Sequence, residues 1–240
     1  DRSILRVRVS DIKFFIGTGL VSFLVFNFFF FTTMQRTGIA VSVTLLYTCP
    51  MFVGLMSRVF FKEPLTATKW LALLLTLSGC ALVMGIADTP LSELPLAGIF
   101  TGLLSGLTFA LYSIFSKMAL SKYASATVTT YTFLIAAAGI LMLVPPSFFA
   151  SITLQPAKLV PGLALALLCT VLPFLLYTKA VASMEAGRAA LITTLEPVVA
   201  AVMGYAVFGE TLGPIKMTGV LLVAGGVLLT QKPGPSRMLE

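Results

Sequence analysis

The sequence predicts an all-α membrane protein, a polytopic bundle of about eight transmembrane helices. Three observations carry that prediction. Apolar residues make up 58% of the 240 residues and charged residues only 10%, against about 45–50% and about 25% in soluble domains. The charges leave long empty gaps. No Asp, Glu, Lys or Arg lies between Lys13 and Arg36, Arg36 and Arg58, Lys69 and Asp88, or Glu93 and Lys117. The same holds between Lys122 and Lys158, Lys158 and Lys179, and Lys216 and Lys232. A helix needs roughly 20 mostly apolar residues to cross the hydrocarbon core, and these gaps are near that size. Finally, runs such as LALLLTLSGCALVMGI do not alternate apolar and polar residues, as the strands of a membrane barrel would.

The spans follow in order: Phe14–Met34, Gly38–Val59, Trp70–Ile86, Leu96–Phe115, Ala124–Leu143, Leu159–Tyr177, Ala189–Phe208 and Met217–Leu229. The hairpins between them are tight, which predicts one bundle. The net charge of +7 does not point to nucleic acid, because the basic residues are scattered among helix ends. Alternate ends divide them unequally. One side holds Arg2, Arg6, Arg8, Lys13, Arg58, Lys62, Lys69, Lys117, Lys122, Lys179, Arg188, Lys232 and Arg237, and the other only Arg36, Lys158 and Lys216. Cytoplasmic ends carry the excess of Lys and Arg, so the reading is a multi-pass protein of the plasma (inner) membrane with both termini cytoplasmic.

Cys49, Cys80 and Cys169 all fall inside spans, where small apolar packing is the expected role. With no histidine and no cysteine cluster, the sequence predicts neither a metal site nor a cofactor.

An internal repeat sets the architecture. At an ungapped offset of 147, residues 50–82 lie over residues 197–229, with ten of 33 positions identical. The informative matches are Pro50 with Pro197, Phe61 with Phe208, Glu63 with Glu210, Lys69 with Lys216, and Gly79 with Gly226. Five spans separate the counterparts, so the two copies cross the membrane in opposite senses. Inverted repeats of this kind build many secondary transporters. The first repeat, residues 1–87, then holds three helices and the second, residues 95–231, holds five. Symmetry predicts a ten-helix parent, five plus five, with two helices preceding Phe14.

The segments LLYTCPMFVGLMSRVFFKEPLTATKWLALLLTLSGCALV and LITTLEPVVAAVMGYAVFGETLGPIKMTGVLLVAGGVLL resemble the signature of the EamA-type drug/metabolite transporter superfamily. Each has a proline within a helix, a Glu at the following turn and a Gly-bearing last helix. ALYSIFSKMAL is similar to the opening helix of that family's second half. The resemblance implies ten helices in two inverted repeats, cytoplasmic termini, and movement of small metabolites or drugs.

Candidate functional residues follow from the cost of polarity inside a bilayer. Glu196 sits near the middle of the seventh span, where an ionised carboxylate is expensive and turns to a cavity or a partner. It fits a contact to a substrate amine or a proton-coupling carboxylate; the alternative is a structural group bonding backbone freed by Pro197. Its repeat counterpart is Cys49. Pro50 and Pro197 each remove a helix hydrogen bond and are expected to kink their spans as conformational elements. Asn27, Tyr47, Tyr112, Tyr177 and Thr194 are expected to line a cavity, with Asn27 and Tyr47 the hardest to satisfy within their own helix. Ser113, Ser116, Tyr131, Thr44 and Thr193 are weaker members of the same set, because Ser and Thr bond their own helices readily. The run from Phe26 through Phe31 faces lipid or core. Glu63 and Glu210 complement helix N-termini. Gly79, Gly225 and Gly226 permit close helix approach.

The pattern favours a secondary transporter of a small organic solute, with the lipid bilayer as its environment and protons as a candidate coupling ion. The competing reading is a non-transporting membrane protein or an inactive fragment of such a transporter. An intramembrane enzyme would want a paired base, nucleophile or metal, and the sequence offers one midplane acid. No GxxxxGK[ST] nucleotide loop is present.

Overall fold

The computed structural model describes residues 7–86, 94–145, 147, 156–209 and 211–230, and these contain helices and no strand. Glu210, Arg2, Arg6, Lys232 and Arg237 lie outside the described residues, as does the side chain of Lys158. The helices form a polytopic bundle. Five stretches are long and apolar enough to cross a membrane: Val9–Leu46, Leu96–Leu120, Ser125–Leu143, Leu159–Ser183 and Ala186–Phe208. Cys49–Phe61, Ala67–Val83 and Pro214–Thr230 are shorter apolar helices.

The first span starts at Ile12–Ile16, continues through Gly17–Leu24 and enters Val25–Leu46, which is interrupted at Gly38. Gly38 has φ 82°, a left-handed conformation that only glycine adopts at little cost. Contacts with the fourth span, Leu96–Leu120, reveal what the interruption does. Thr33 bonds Thr101 and Phe26 packs on Phe109, so before Gly38 the two chains run oppositely. Leu45 lies on Gly102 and Thr48 on Gly106, so after Gly38 they run together. Gly38 is therefore the tip of a helical hairpin, and the second span begins there.

The second span is two helices rather than one kinked helix. Residues 39–46 end in a turn at Tyr47 and Thr48, and Cys49–Phe61 follows. The seventh span repeats the pattern: Ala186–Thr193, a turn at Thr194 and Leu195, then Glu196–Phe208. The expectation of simple kinks at Pro50 and Pro197 is corrected here. Both prolines occupy the first turn of the second half-helix. In that turn an N–H has no intrahelical acceptor anyway, so the missing donor costs nothing. Thr48 and Thr194 close the first half-helices by donating their hydroxyls to the carbonyls of Leu45 and Leu191, each at 2.6 Å.

Further features recur at the offset of 147. Both second half-helices end in a left-handed residue, Lys62 at φ 57° and Gly209 at φ 67°. Gly17–Leu24 and Leu165–Val171 are both wound with i→i+5 hydrogen bonds. They close alike, Val25 N–H on the Leu20 carbonyl and Leu172 N–H on the Leu167 carbonyl.

The third and eighth spans, Ala67–Val83 and Pro214–Thr230, pack antiparallel at very short range. A Cβ at Gly79 would stand 2.7 Å from the Gly219 carbonyl oxygen, and one at Gly219 would stand 2.7 Å from that of Gly79. At the other end of the contact Gly226 lies against Thr76 and the Ala72 carbonyl. Gly225 differs from the expectation: nothing lies within 4 Å of its Cβ position. One residue along a helix is about 100° of rotation, which turns it off the contact.

The interior is divided into small apolar clusters. One gathers Cys49, Val53, Ala110, Val181, Ala186, Ala189 and Ala190 from four spans. Another centres on Cys80, Val223 and Val227, with Tyr47, Leu195 and Val198 against it. Phe28 and Phe31 are exposed, while Phe26 packs inward on Phe30 and Phe109.

Candidate functional site

The two helix breaks meet around Cys80. Its thiol lies 3.8 Å from the carbonyl of Thr194, in the turn of the seventh span. Tyr47, in the turn of the second span, packs on the same cluster. Glu196 opens the second half of the seventh span, is exposed on the bundle, and interacts electrostatically with both Tyr47 and Cys80. Three predicted residues, Tyr47, Thr194 and Glu196, thus come together, one from the first half of the sequence and two from the second. A narrow cleft opens beside them, lined by Tyr47, Thr48, Met51, Trp70, Leu73, Leu74 and Leu77.

The backbone explains why a carboxylate is tolerated here. The first turn of a helix presents unpaired N–H groups and the positive end of its dipole, which favour negative charge. The break places such a first turn in the interior of an otherwise apolar span. It also leaves the turn carbonyls outside the helical ladder. A carboxylate beside a phenol hydroxyl is a donor set whose chemistry suits a cation or an ammonium.

Tyr112 and Tyr177 belong to a separate hydroxyl network. Tyr112 is 1% exposed and shares a 2.6 Å hydrogen bond with Thr178. Thr178 donates to the Phe174 carbonyl at 2.7 Å and accepts from Thr129 at 3.4 Å. Tyr177 pairs with Ser113 at 2.7 Å. Around them stand Phe23, Phe109, Phe133 and Phe174, edge to face. Tyr177 also packs on the cluster of Cys49, so this network adjoins the first break.

Asn27 joins neither group. Its amide donates to the Phe23 carbonyl, four residues back in its own helix, at 2.7 Å. Asn27 is expected from the sequence to be hard to satisfy within its own helix, yet its donor finds a partner there. Pro50 and Pro197 are buried at the two breaks. The hydropathy pattern gave no sign of Cys80 or Thr178 as members of these groups; only the folded spans bring them in. Among the described residues no group of three or more His, Cys, Asp or Glu could hold a metal ion, and the three cysteines are free.

Charge concentrates at one end of the bundle. Glu63, in the turn after the second span, accepts from Lys117 at 2.6 Å and from the backbone N–H groups of Ala186 and Gly187 at 3.1 and 3.4 Å. The expected helix-capping role of Glu63 is real, but the helix it caps is the seventh span and not the one that follows it. Lys69 pairs with Glu185 at 2.6 Å. At the same end Asp11 accepts from Lys122 and from the Tyr123 hydroxyl, both at 2.8 Å, beside a cleft of about 450 Å³.

Comparison with known proteins agrees with this architecture. The chain is 30% identical over 214 residues to an uncharacterized transporter of Archaeoglobus fulgidus, covering 88% of this chain and 75% of that one. It is 28% identical to the uncharacterized transporter YwfM of Bacillus subtilis, covering 83% and 67%. It is 29% identical over 220 residues to the threonine/homoserine exporter RhtA of Escherichia coli, covering 89% and 71%. A crystal structure superposes with a TM-score of 0.73 at 16% identity, over 96% of this chain and 78% of that one, which is a likeness of fold. The profile of the EamA-like transporter family matches residues 2–85 and 96–231. This multi-pass membrane chain belongs to the EamA-like transporter family, whose members are transporters and not enzymes.

Proposed function

We propose that the protein is a secondary transporter that moves a small amine-bearing metabolite or drug by alternating access between two inverted repeats. The observation that carries this reading is Glu196, placed at the internal start of a half-helix and facing Tyr47 from the other half of the sequence. Broken helices whose half-helix ends point at a ligand are a recurring transporter device. A lone carboxylate beside aromatic and hydroxyl groups suits a protonated amine, and amino acids carry one. The name of the E. coli relative, an exporter of threonine and homoserine, is in keeping with that class. The matched breaks, left-handed caps and i→i+5 segments at an offset of 147 support the repeat organisation. The two profile matches support a division near residues 86–95. The excess of basic residues at the Lys117 end supports cytoplasmic termini in the inner membrane.

The test is uptake into proteoliposomes with and without an imposed pH gradient, using a panel that includes threonine, homoserine and lipophilic amines. The expected outcome is gradient-dependent movement of at least one amine, lost in Glu196→Gln while size-exclusion behaviour is unchanged. Full activity in Glu196→Gln would remove the carboxylate from the mechanism. Absence of any solute movement in the parent would favour the non-transporting reading.

A further inference from the structure

The ion pairs at the basic end link the two halves of the chain, and on the transporter reading proposed above we infer that they are a latch holding that end shut. Glu63 and Lys69 flank the turn between the second and third spans, while Lys117 ends the fourth and Glu185 precedes the seventh. Each pair joins a residue before position 90 to one after position 110. Lys117 also donates to the carbonyl of Met184 at 3.1 Å, and Lys69 to that of Pro64 at 2.8 Å. The turn between the second and third spans is thereby bound to the fourth span and to the turn between the sixth and seventh.

The position is that of a closure. Glu63 is nearly buried, with its side chain 10% exposed, and Lys117 is 24% exposed. Directly inward lies the cluster of Cys49, Val53, Ala110, Ala186, Ala189 and Ala190, rich in small side chains. Cys49 is the residue that starts the second half of the second span. The cluster runs from Ala186, bonded to Glu63, to Cys49, which follows the turn at Tyr47 and Thr48, so it lies between the ion pairs and the break.

The energetics suit a reversible device. Burying a salt bridge costs desolvation that roughly offsets its Coulomb attraction. Opening returns both charges to water, so little net stability is lost when the pair separates. An apolar seal of the same area would hold far more strongly. Glu63 adds direction, because its carboxylate also satisfies the first N–H groups of the seventh span. Movement of that span therefore releases the turn, and movement of the turn uncaps the span. Lys117 and Glu63 act as positioning residues that set the closed arrangement and need not touch the solute.

Thiol accessibility tests this without requiring transport. In the full chain carrying Cys80→Ala and Cys169→Ala, Cys49 is the only thiol, and it is 5% exposed. A membrane-impermeant cationic methanethiosulfonate is applied to inside-out and to right-side-out vesicles. Lys69→Gln and Lys117→Met are expected to raise the labelling rate of Cys49 from the basic-end side about tenfold, without a comparable rise from the other side. The double exchange Lys69→Glu with Glu185→Lys restores the pair in reverse and is expected to return the parental rate. If Lys117→Met does not fold, the Lys69 and Glu185 variants decide alone. Unchanged labelling in the single variants overturns the latch. So does an equal rise from both sides, which is general loosening, or a double exchange that labels as fast as the singles. A chain that moves no solute yet shows the one-sided, exchangeable response would refute the transport reading and leave the latch standing.

Discussion

Alanine at Gly79 should force the third and eighth spans apart. The new methyl would stand 2.7 Å from the Gly219 carbonyl oxygen, 2.7 Å from Val223 Cγ2 and 2.9 Å from Val223 N. Two of these neighbours are backbone, so no side-chain rotation relieves the clash. Overpacking of this kind costs about 1–3 kcal/mol. Alanine returns about 0.5–1 kcal/mol of helix propensity, which leaves a net loss of up to about 2.5 kcal/mol. At about 2–4 °C per kcal/mol for a chain of this size, the unfolding midpoint falls by up to about 10 °C. Gly225→Ala is the internal control. It lies on the other helix of the pair, the eighth span, makes the same propensity gain and meets nothing within 4 Å. The assay is thermal unfolding in detergent, followed by near-UV dichroism or by loss of the monodisperse chromatographic peak. Gly79→Ala is expected to melt below the parent and Gly225→Ala at or above it. Equal midpoints for the two variants would refute the close contact at Gly79 and with it the geometry of this helix pair.

Two further outcomes follow from local geometry. Lys62 holds φ 57° at the position where the second half of the chain has Gly209, so Lys62→Gly should stabilise by about 1 kcal/mol in the same melt; no change would mean the strain is not there. Thr178→Val removes the 2.6 Å partner of the buried Tyr112 hydroxyl, which keeps Thr129 and Thr132 as neighbours, and should cost about 0.5–1.5 kcal/mol. Tyr112→Phe should cost less, because Thr178 keeps its bond to the Phe174 carbonyl; the reverse ranking in chemical unfolding would contradict the network as described.

Much of the architecture was legible because membrane spans announce themselves by length and by missing charge. The gap between Lys13 and Arg36 marks the first span, and the match of Pro50 with Pro197 marks both breaks. What the breaks look like was less legible. Proline in a span reads as a kink, but the two-residue turn before it depends on Thr48 and Thr194 capping the preceding half-helices. Hydroxyls that bond their own backbone leave no pattern in hydropathy. Glu196 stood out because a carboxylate in an apolar run has few explanations. Cys80 did not, because a thiol in such a run has many, and its role depends on Thr194, 114 positions away in the sequence. Asn27 misled for the opposite reason: an amide looks hard to satisfy until a carbonyl four residues back is in reach. The partnership of Glu63 with Lys117 spans 54 positions and reaches across the third span into the fourth, and no local spacing encodes it.

The i→i+5 segments at Gly17–Leu24 and Leu165–Val171 have a practical corollary for anyone mapping the first and sixth spans by substitution. Each i→i+5 closure fits an extra residue into the turn, and one residue corresponds to roughly 100° of azimuth on a regular helix. A helical wheel drawn straight through either span therefore assigns opposite ends of the helix to the wrong neighbours. Scanning data from these two spans should show two periodic series with a phase slip between them, near residue 20 in one and near residue 168 in the other.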